Sequence, residues 1–135
     1  ELIFVSPETL QIENDLRSYL DQNNMKYSET DDFESVIPKA DAIYMTRIQD
    51  EYDTEGESKG VDYGKFHFRY EHMKVLKKSA IIMHPLPRRT EIDIRVDDDP
   101  RAKYWRQERN GMWTRVALIA KIFGIDKDIT EPYGA

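Results

Sequence analysis

Residues 81–88 read IIMHPLPR, and this stretch decides the fold assignment. Its apolar start predicts the end of a buried strand, and its two prolines predict a stiff turn, because proline fixes φ and lacks an N–H. The carbonyls of Pro85 and Leu86 then fall outside a regular ladder and can accept from a ligand. Ligand crevices in open α/β sheets lie at the carboxyl ends of strands. The stretch therefore predicts a crevice for an anionic ligand, or else an ordinary strand followed by a proline-rich turn.

Strands and helices alternate along the chain on both sides of this stretch. We predict strands over 2–5, 26–28, 41–46 and 80–84. We predict helices from the Ser6-Pro7 pair to Asn23, over 32–37, over 70–78 and over 101–123. The acidic, glycine-containing segment 48–63 predicts a long solvated loop. This order predicts an α/β fold with a parallel sheet flanked by helices.

The chain opens directly on a strand, without a preceding βα unit and its glycine-rich turn. A doubly wound sheet normally begins with such a unit. We therefore expect that the first βα unit is missing and that the first strand and last helix have partners outside this sequence.

Composition narrows the functional class. The 135 residues suit one domain, and the net charge of −6 argues against a nucleic-acid footprint. The absence of cysteine excludes disulfides, thiolate metal sites and a cysteine nucleophile. The histidines are too scattered in sequence to predict a metal site. With no membrane span or signal segment in the sequence, we predict a cytoplasmic protein.

A second cluster follows the strand predicted over 41–46. Arg47 offers a planar fork of donors for a carboxylate, and Gln49 projects from the same side if the chain stays extended. Together they could hold a dicarboxylate. The alternative is a surface ion pair of Arg47 with Asp50 or Glu51.

A third cluster centres on Arg115, which enters a helix with an apolar face. Arg115 could point toward a site, or its aliphatic stem could lie along the apolar surface with the charge in water. Its spacing alone favours the second interpretation.

Three segments, YMTRIQDE (44–51), MHPLPRRTEI (83–92) and DDDPRAKYWRQERNGMWTRVALIAKIFG (97–124), occur in this order. Together they resemble the aspartate-binding half of the aspartate carbamoyltransferases. The related enzymes that use ornithine carry a cysteine in the turn that matches His-Pro-Leu-Pro. This chain has Pro85 there, so the resemblance points to aspartate.

The resemblance implies a Rossmann-like carbamoyltransferase domain that takes part in joining carbamoyl phosphate to the amine of L-aspartate, in pyrimidine synthesis. Arg47 and Gln49 match residues that hold aspartate, and Arg115 matches a helix arginine near the substrates. Pro85, Leu86 and Pro87 match the turn that receives the carbamoyl amide and the attacking amine.

The resemblance also implies what lies outside this chain. It implies no cofactor and no metal, and it places no catalytic residue in this half. The phosphate cradle belongs to a carbamoyl-phosphate domain that is absent here, so the chain alone should be inactive. Residues 1–135 would form a partial L-aspartate-binding domain whose C-terminal helix, about 112–124, packs on that absent domain. Complete family chains form homotrimers.

The turn also carries a prediction about the Leu86–Pro87 bond, and two alternative functions are considered. We predict a cis Leu86–Pro87 peptide bond, because one small ligand must meet two successive carbonyls and because the family's turn is cis. A dinucleotide-binding fragment would need a G-x-G-x-x-G turn, which the sequence lacks. A detached, non-catalytic binding or regulatory module of the same fold stays open as the alternative.

Overall fold

The computed structural model describes residues 1–47 and 62–128, and along these residues strands alternate with helices. The strands and α-helices are β1 (Leu2–Val5), α1 (Asn14–Gln22), β2 (Tyr27–Thr30), α2 (Phe33–Val36), β3 (Ala42–Tyr44), β4 (Ile81–Met83) and α3 (Tyr104–Ile122). Short 3₁₀ helices occupy Glu8–Leu10, Ile37–Lys39, Tyr63–Phe66, Tyr70–Lys74, Ile94–Val96 and Asp126–Asp128. The predicted α/β class is confirmed.

The strands pair in parallel, as predicted. β1 runs beside β2 with Leu2 opposite Tyr27, and β3 runs beside β4 with Ala42 opposite Ile81. Within the described residues the strands form two separate hydrogen-bonded pairs instead of one continuous ladder. A parallel bridge between Ile82 and Ala102 extends the second pair to the segment that precedes α3.

Helix α1 begins at Asn14, so its predicted start at the Ser6-Pro7 pair is wrong. The N–H of Ser6 donates to the Thr30 carbonyl over 3.1 Å, which extends the β1–β2 pairing by one step. Pro7 and Glu13 keep extended ψ angles of 152° and 165°. The predicted end of the helix is confirmed, because α1 stops at Gln22.

The segment predicted as a helix over 70–78 forms only the 3₁₀ helix Tyr70–Lys74. The guanidinium of Arg101 donates to the carbonyls of Met73 and Leu76, each over 3.0 Å. These carbonyls therefore accept from a side chain some 25 residues away instead of from a continuing helix.

The hydrophobic core surrounds β3 and β4. It takes side chains from α2, both strands, the segments that flank β4 and the start of α3. Its most deeply buried members are Ile37, Phe68, Ile82, Val96 and Tyr104. β1 contributes only the partly buried Val5 to this cluster. The turn after β4 thus starts from the best-packed part of the described chain.

Candidate functional site

The turn after β4 has the cis Leu86–Pro87 peptide bond predicted from the sequence. Leu86 also has a φ of +50°, in the left-handed region that residues other than glycine rarely adopt. Its N–H donates to Nδ1 of His84 over 2.8 Å. Among the described residues, no backbone N–H donates to the carbonyl oxygen of Pro85 or Leu86. Neither carbonyl is therefore used in backbone pairing within the described residues, and their role toward a ligand stays a prediction.

A buried histidine and glutamate close this turn. Nε2 of His84 lies 2.7 Å from Oε1 of Glu91, and the two side chains are only 1% and 10% exposed. The Glu91 carboxylate also accepts from the N–H of Arg89, over 3.0 Å to its second oxygen. On the other side, the His84 N–H donates to Oε1 of Gln107 in α3 over 3.0 Å. The turn is therefore bonded to itself and to α3.

The Glu91 carboxyl is ionised although it is buried. Burial alone would raise its pKa, but hydrogen bonds from the backbone N–H groups of Glu91 and Arg89 and from His84 hold the pKa below its ordinary value. The turn thus encloses a fixed, buried negative charge.

Arg88 anchors the far end of the turn. Its guanidinium forms a two-pronged contact with Asp97, in which Nη2 and Oδ2 are 2.6 Å apart. The Tyr104 hydroxyl donates to Asp97 and accepts from Arg88 over 3.1 Å. Burial raises the pKa of Tyr104 above its ordinary value, as does the nearby Asp97 carboxylate. The phenol therefore stays protonated and keeps donating to Asp97.

The described chain has a cleft of about 1580 Å³ that joins Arg47 to the turn. Arg47 follows β3, and Met45 keeps that segment beside β4 by donating to the Met83 carbonyl over 2.9 Å. Arg47, Pro85, Leu86 and Pro87 all line this cleft. The structure thus brings together four of the six site residues predicted from the sequence.

The other two predicted site residues are not part of this group. Gln49 lies outside the described residues. Arg115 is exposed on α3, where its Nη1 lies beside Gly111, one helical turn earlier. It does not line the cleft.

The described residues contain neither a candidate metal site nor a helix that could span a membrane. Between 1–47 and 62–128, no group of three or more His, Cys, Asp or Glu side chains could hold a metal ion. In the same ranges, every helix is too short or too polar to cross a membrane.

The side chains that shape the turn have little signal in the sequence. The sequence predicts no role in the site for His84, Glu91, Asp97, Tyr104 or Gln107. Seven or nine residues separate His84 from Glu91 and Arg88 from Asp97. Because irregular chain joins them, no helical or strand period indicates either contact. The available signal was the run of charges just after the two prolines.

The chain is similar to a known protein family and to several of its members. Residues 1–122 match the family described as aspartate/ornithine carbamoyltransferase, Asp/Orn binding domain. The chain is 39% identical over 130 residues to the aspartate carbamoyltransferase catalytic subunit of Clostridium novyi, covering 93% of this chain and 41% of that protein. It is 41% identical over 120 residues to a chloroplastic aspartate carbamoyltransferase of Oryza sativa, covering 88% of this chain and 33% of that protein.

A similar solved structure is aspartate transcarbamoylase from Trypanosoma cruzi in complex with carbamoyl phosphate and aspartate. The TM-score is 0.75 at 32% identity, over 87% of this chain and 39% of that one. The Trypanosoma cruzi protein is also known in complex with N-(phosphonacetyl)-L-aspartic acid. The present chain thus spans between one third and two fifths of the length of these relatives.

Proposed function

Because the chain belongs to the aspartate/ornithine carbamoyltransferase family, we propose that it forms the aspartate-binding part of an aspartate carbamoyltransferase. The complete enzyme would transfer the carbamoyl group of carbamoyl phosphate to the amine of L-aspartate, giving N-carbamoyl-L-aspartate and phosphate for pyrimidine synthesis. The observation that carries the proposal is the shared cleft of Arg47 and the turn Pro85–Pro87.

Arg47 and the turn would have different roles in this reaction. The Arg47 guanidinium would pair with a carboxylate of aspartate. The carbonyls of Pro85 and Leu86 would accept from the carbamoyl amide and from the attacking amine. The substrate amine itself is the nucleophile, so this part of the enzyme needs no nucleophilic side chain. Its contribution is to orient the amine and the carbamoyl carbon at bonding distance.

Aspartate is the amino-acid substrate that we propose, in preference to ornithine. The curated relatives reported above are named aspartate carbamoyltransferases. The sequence also has no cysteine at all, so the cysteine of the ornithine enzymes' turn is missing. Gln49 and Arg115 are proposed as further substrate-binding residues because their sequence contexts resemble the family's. Arg115 would act from α3 once the second half of the enzyme is present.

We further propose that α3 carries the surface that packs on the carbamoyl-phosphate domain. Leu118, Ile119, Ile122 and Phe123 are 59%, 55%, 72% and 75% exposed. Such a row of large apolar side chains on one helix is typical of an interface. The relatives are more than twice as long as this chain, which is enough for a second domain. A homotrimer of complete chains is part of the same proposal.

The α3 surface can be tested without disturbing the core. Because Ile122 is mostly exposed, Ile122→Asp should leave the fold intact and weaken binding to the separately expressed carbamoyl-phosphate domain of the Clostridium novyi relative. Lys121→Gln lowers the charge by the same one unit at the neighbouring position without removing an exposed apolar side chain. Equal binding by both variants would contradict this packing surface.

The cytoplasmic location remains a prediction, since the rice relative is named as chloroplastic.

Ligand titration by NMR tests the substrate proposal. N-(phosphonacetyl)-L-aspartate and L-aspartate should shift the amide signals near Arg47 and residues 84–91, and L-ornithine should not. Arg47→Ala should weaken the aspartate response by at least about tenfold, because a desolvated charge pair is lost. Arg109→Ala, on the exposed side of α3, is the matched control. Equal responses to aspartate and ornithine would remove the proposed specificity.

A measurement of turnover distinguishes part of an enzyme from a non-catalytic module. The chain alone should form no carbamoyl aspartate, and adding the carbamoyl-phosphate domain should restore some activity. Binding of aspartate without turnover in the assembled protein would favour the detached binding or regulatory module.

A further inference from the structure

The turn between β4 and the start of α3 has two carbonyls outside the backbone pairing of the described residues, those of Pro85 and Leu86, and one imidazole ring bonds to the turn at two places. Nδ1 of His84 accepts from the Leu86 N–H over 2.8 Å, inside the turn. Nε2 of the same ring contacts the Glu91 carboxylate over 2.7 Å, at the end of the turn. The ring therefore joins the first, middle and last parts of the segment 84–91.

These contacts define the proton position on the ring. Because Nδ1 accepts an N–H, it carries a lone pair, and the ring proton must be on Nε2, where it donates to Glu91. The buried carboxylate fixes this tautomer, and the tautomer in turn makes Nδ1 an acceptor. Glu91 thus acts on the Leu86 amide through His84.

The Leu86 amide is the part of the turn that needs to be held. A φ of +50° brings the Leu86 side chain close to its own backbone, and such a conformation persists only where surrounding contacts impose it. The bond from the Leu86 N–H to His84 is such a contact. It also sets the direction of the Pro85 carbonyl, since that carbonyl and the Leu86 N–H belong to the same peptide plane.

From this geometry we infer that His84 and Glu91 are positioning residues, which aim the Pro85 and Leu86 carbonyls at the substrate. The inference rests on the proposed function, because that function supplies the ligand. Neither side chain has to touch the substrate. His84 acts through the Leu86 amide, and Glu91 acts through His84.

The same chain offers a matched control. His72 has the same bonding pattern, with Nδ1 accepting from the Arg69 N–H over 3.0 Å and Nε2 3.0 Å from Glu34. Its side chain is 7% exposed, so it is also buried. His72 does not line the cleft with Arg47. Substitutions at His72 therefore measure the loss of a buried, doubly bonded histidine without a change at the turn.

Substitution of His84 by asparagine or glutamine distinguishes the bond at Nδ1 from the contact at Nε2. Asparagine places its amide oxygen near the Nδ1 position and can still accept from Leu86, whereas glutamine extends toward the Nε2 position and leaves the Leu86 N–H without its acceptor. We expect His84→Gln to speed hydrogen exchange of the Leu86 amide and to weaken N-(phosphonacetyl)-L-aspartate binding, each by at least about tenfold. His84→Asn should retain most of both properties.

The controls make the result specific. His72→Gln should reduce thermal stability as His84→Gln does, while its affinity for N-(phosphonacetyl)-L-aspartate stays within about twofold of the unsubstituted chain. If His84→Gln does not fold, Glu91→Gln takes its place. It keeps the size of the side chain but removes the charge that strengthens the bond to His84, so both effects should be about threefold or more.

Slow exchange of the Leu86 amide in His84→Gln and in Glu91→Gln would overturn the inference, whether or not the ligand binds. Equal losses of affinity from His84→Gln and His72→Gln would also overturn it, since the effect would then be one of general stability. An unsubstituted chain that fails to bind the ligand contradicts the proposed function instead, and the exchange rates still decide the role of His84.

Discussion

Two arginine–aspartate pairs lie close together in sequence but in different surroundings. Arg88 and Asp97 are 13% and 23% exposed at their side chains, whereas the Arg95 side chain beside Asp93 is 56% exposed. Both guanidinium groups also lie over aromatic rings, 5.4 Å from the Tyr104 centroid for Arg88 and 5.0 Å from the Tyr70 centroid for Arg95. Because Asp97 and Asp93 are similarly exposed, at 23% and 22%, the two pairs differ mainly in how far the guanidinium group is exposed to water.

The difference shows that a shifted pKa and a stabilising contact are separate properties. Side-chain and backbone hydrogen bonds from Arg95 lower the pKa of Asp93 to about 2. That pair caps the Ile94–Val96 turn and contacts Glu71 and the Tyr70 ring of the neighbouring 3₁₀ helix, but its guanidinium group stays mostly exposed to water. Burial opposes ionisation of Asp97, although Arg88 and Tyr104 still lower its pKa. The Arg88–Asp97 pair links the proline turn to α3 through the Tyr104 hydroxyl. We therefore expect it to contribute more to the free energy of unfolding than the Asp93–Arg95 pair does.

The largest effect should come from Asp97→Asn. This substitution keeps the shape of the side chain but leaves the mostly buried Arg88 charge without its counter-ion. We expect a loss of about 2–3 kcal/mol in the free energy of unfolding, somewhat below the range for fully buried pairs. Urea unfolding followed by circular dichroism measures it. If the loss of unfolding free energy is no larger than that of Asp93→Asn, the expected difference between the two pairs is contradicted.

A smaller loss should follow Tyr104→Phe, which removes one hydroxyl and retains the ring. The hydroxyl donates to Asp97 and accepts from Arg88. Since hydrogen bonds to charged groups are the stronger ones, we expect a loss of about 1.5 kcal/mol, measured by the same unfolding assay. If the Asp97→Asn and Tyr104→Phe effects add fully in the double variant, the three groups do not form one network.

Acid should weaken the buried pair through Asp97. Its pKa is lower in the folded chain than in the unfolded chain, so its contribution is complete above the unfolded value of about 3.9 and is lost as pH falls through the folded value. Unfolding curves collected between pH 6 and pH 3, in steps of about 0.5, should therefore show a shallower decline for Asp97→Asn than for the unsubstituted chain. Parallel curves would show that Asp97 does not contribute to the acid response.

The smallest effect should come from Asp93→Asn, despite the low pKa of Asp93. The Arg95 partner is mostly exposed, and water and salt screen such a pair. We expect the urea midpoint to stay within the error of the measurement. Because asparagine can still accept from the Arg95 N–H as an N-cap, a clear shift of the midpoint would mean that the Asp93 charge stabilises the fold despite the exposure of Arg95.

The order of elements could be predicted from the sequence because it depends on local patterns. Apolar runs marked β1, β3 and β4, and the two prolines after Met83 marked the turn. The start of α1 could not be predicted in this way. Ser6 and Pro7 have the composition of a helix start, but Ser6 pairs with Thr30 on β2, and only the short 3₁₀ helix Glu8–Leu10 follows before α1. A contact across 24 residues thus overrides the local preference.

The same contrast between local sequence patterns and long-range contacts applies to the candidate site. Arg47 and the turn carbonyls could be predicted because strand ends meet at one edge of a parallel arrangement. The supporting contacts of His84 with Glu91 and of Arg88 with Asp97 could not, because they depend on how irregular chain folds back on itself. Their geometry is set by burial against Tyr104 and α3, which no short sequence window contains.

The bonds that hold the turn have a consequence for the order of folding. Every side chain that bonds to residues 84–89 in the contacts described above comes from within residues 84–107. Closing such short loops costs little chain entropy, and contacts at small sequence separation form fast. We expect this segment to gain its shape before the β1–β2 pair docks, and to retain it when that pair opens transiently. The carbonyl-bearing turn would then be an early and durable part of the folding route.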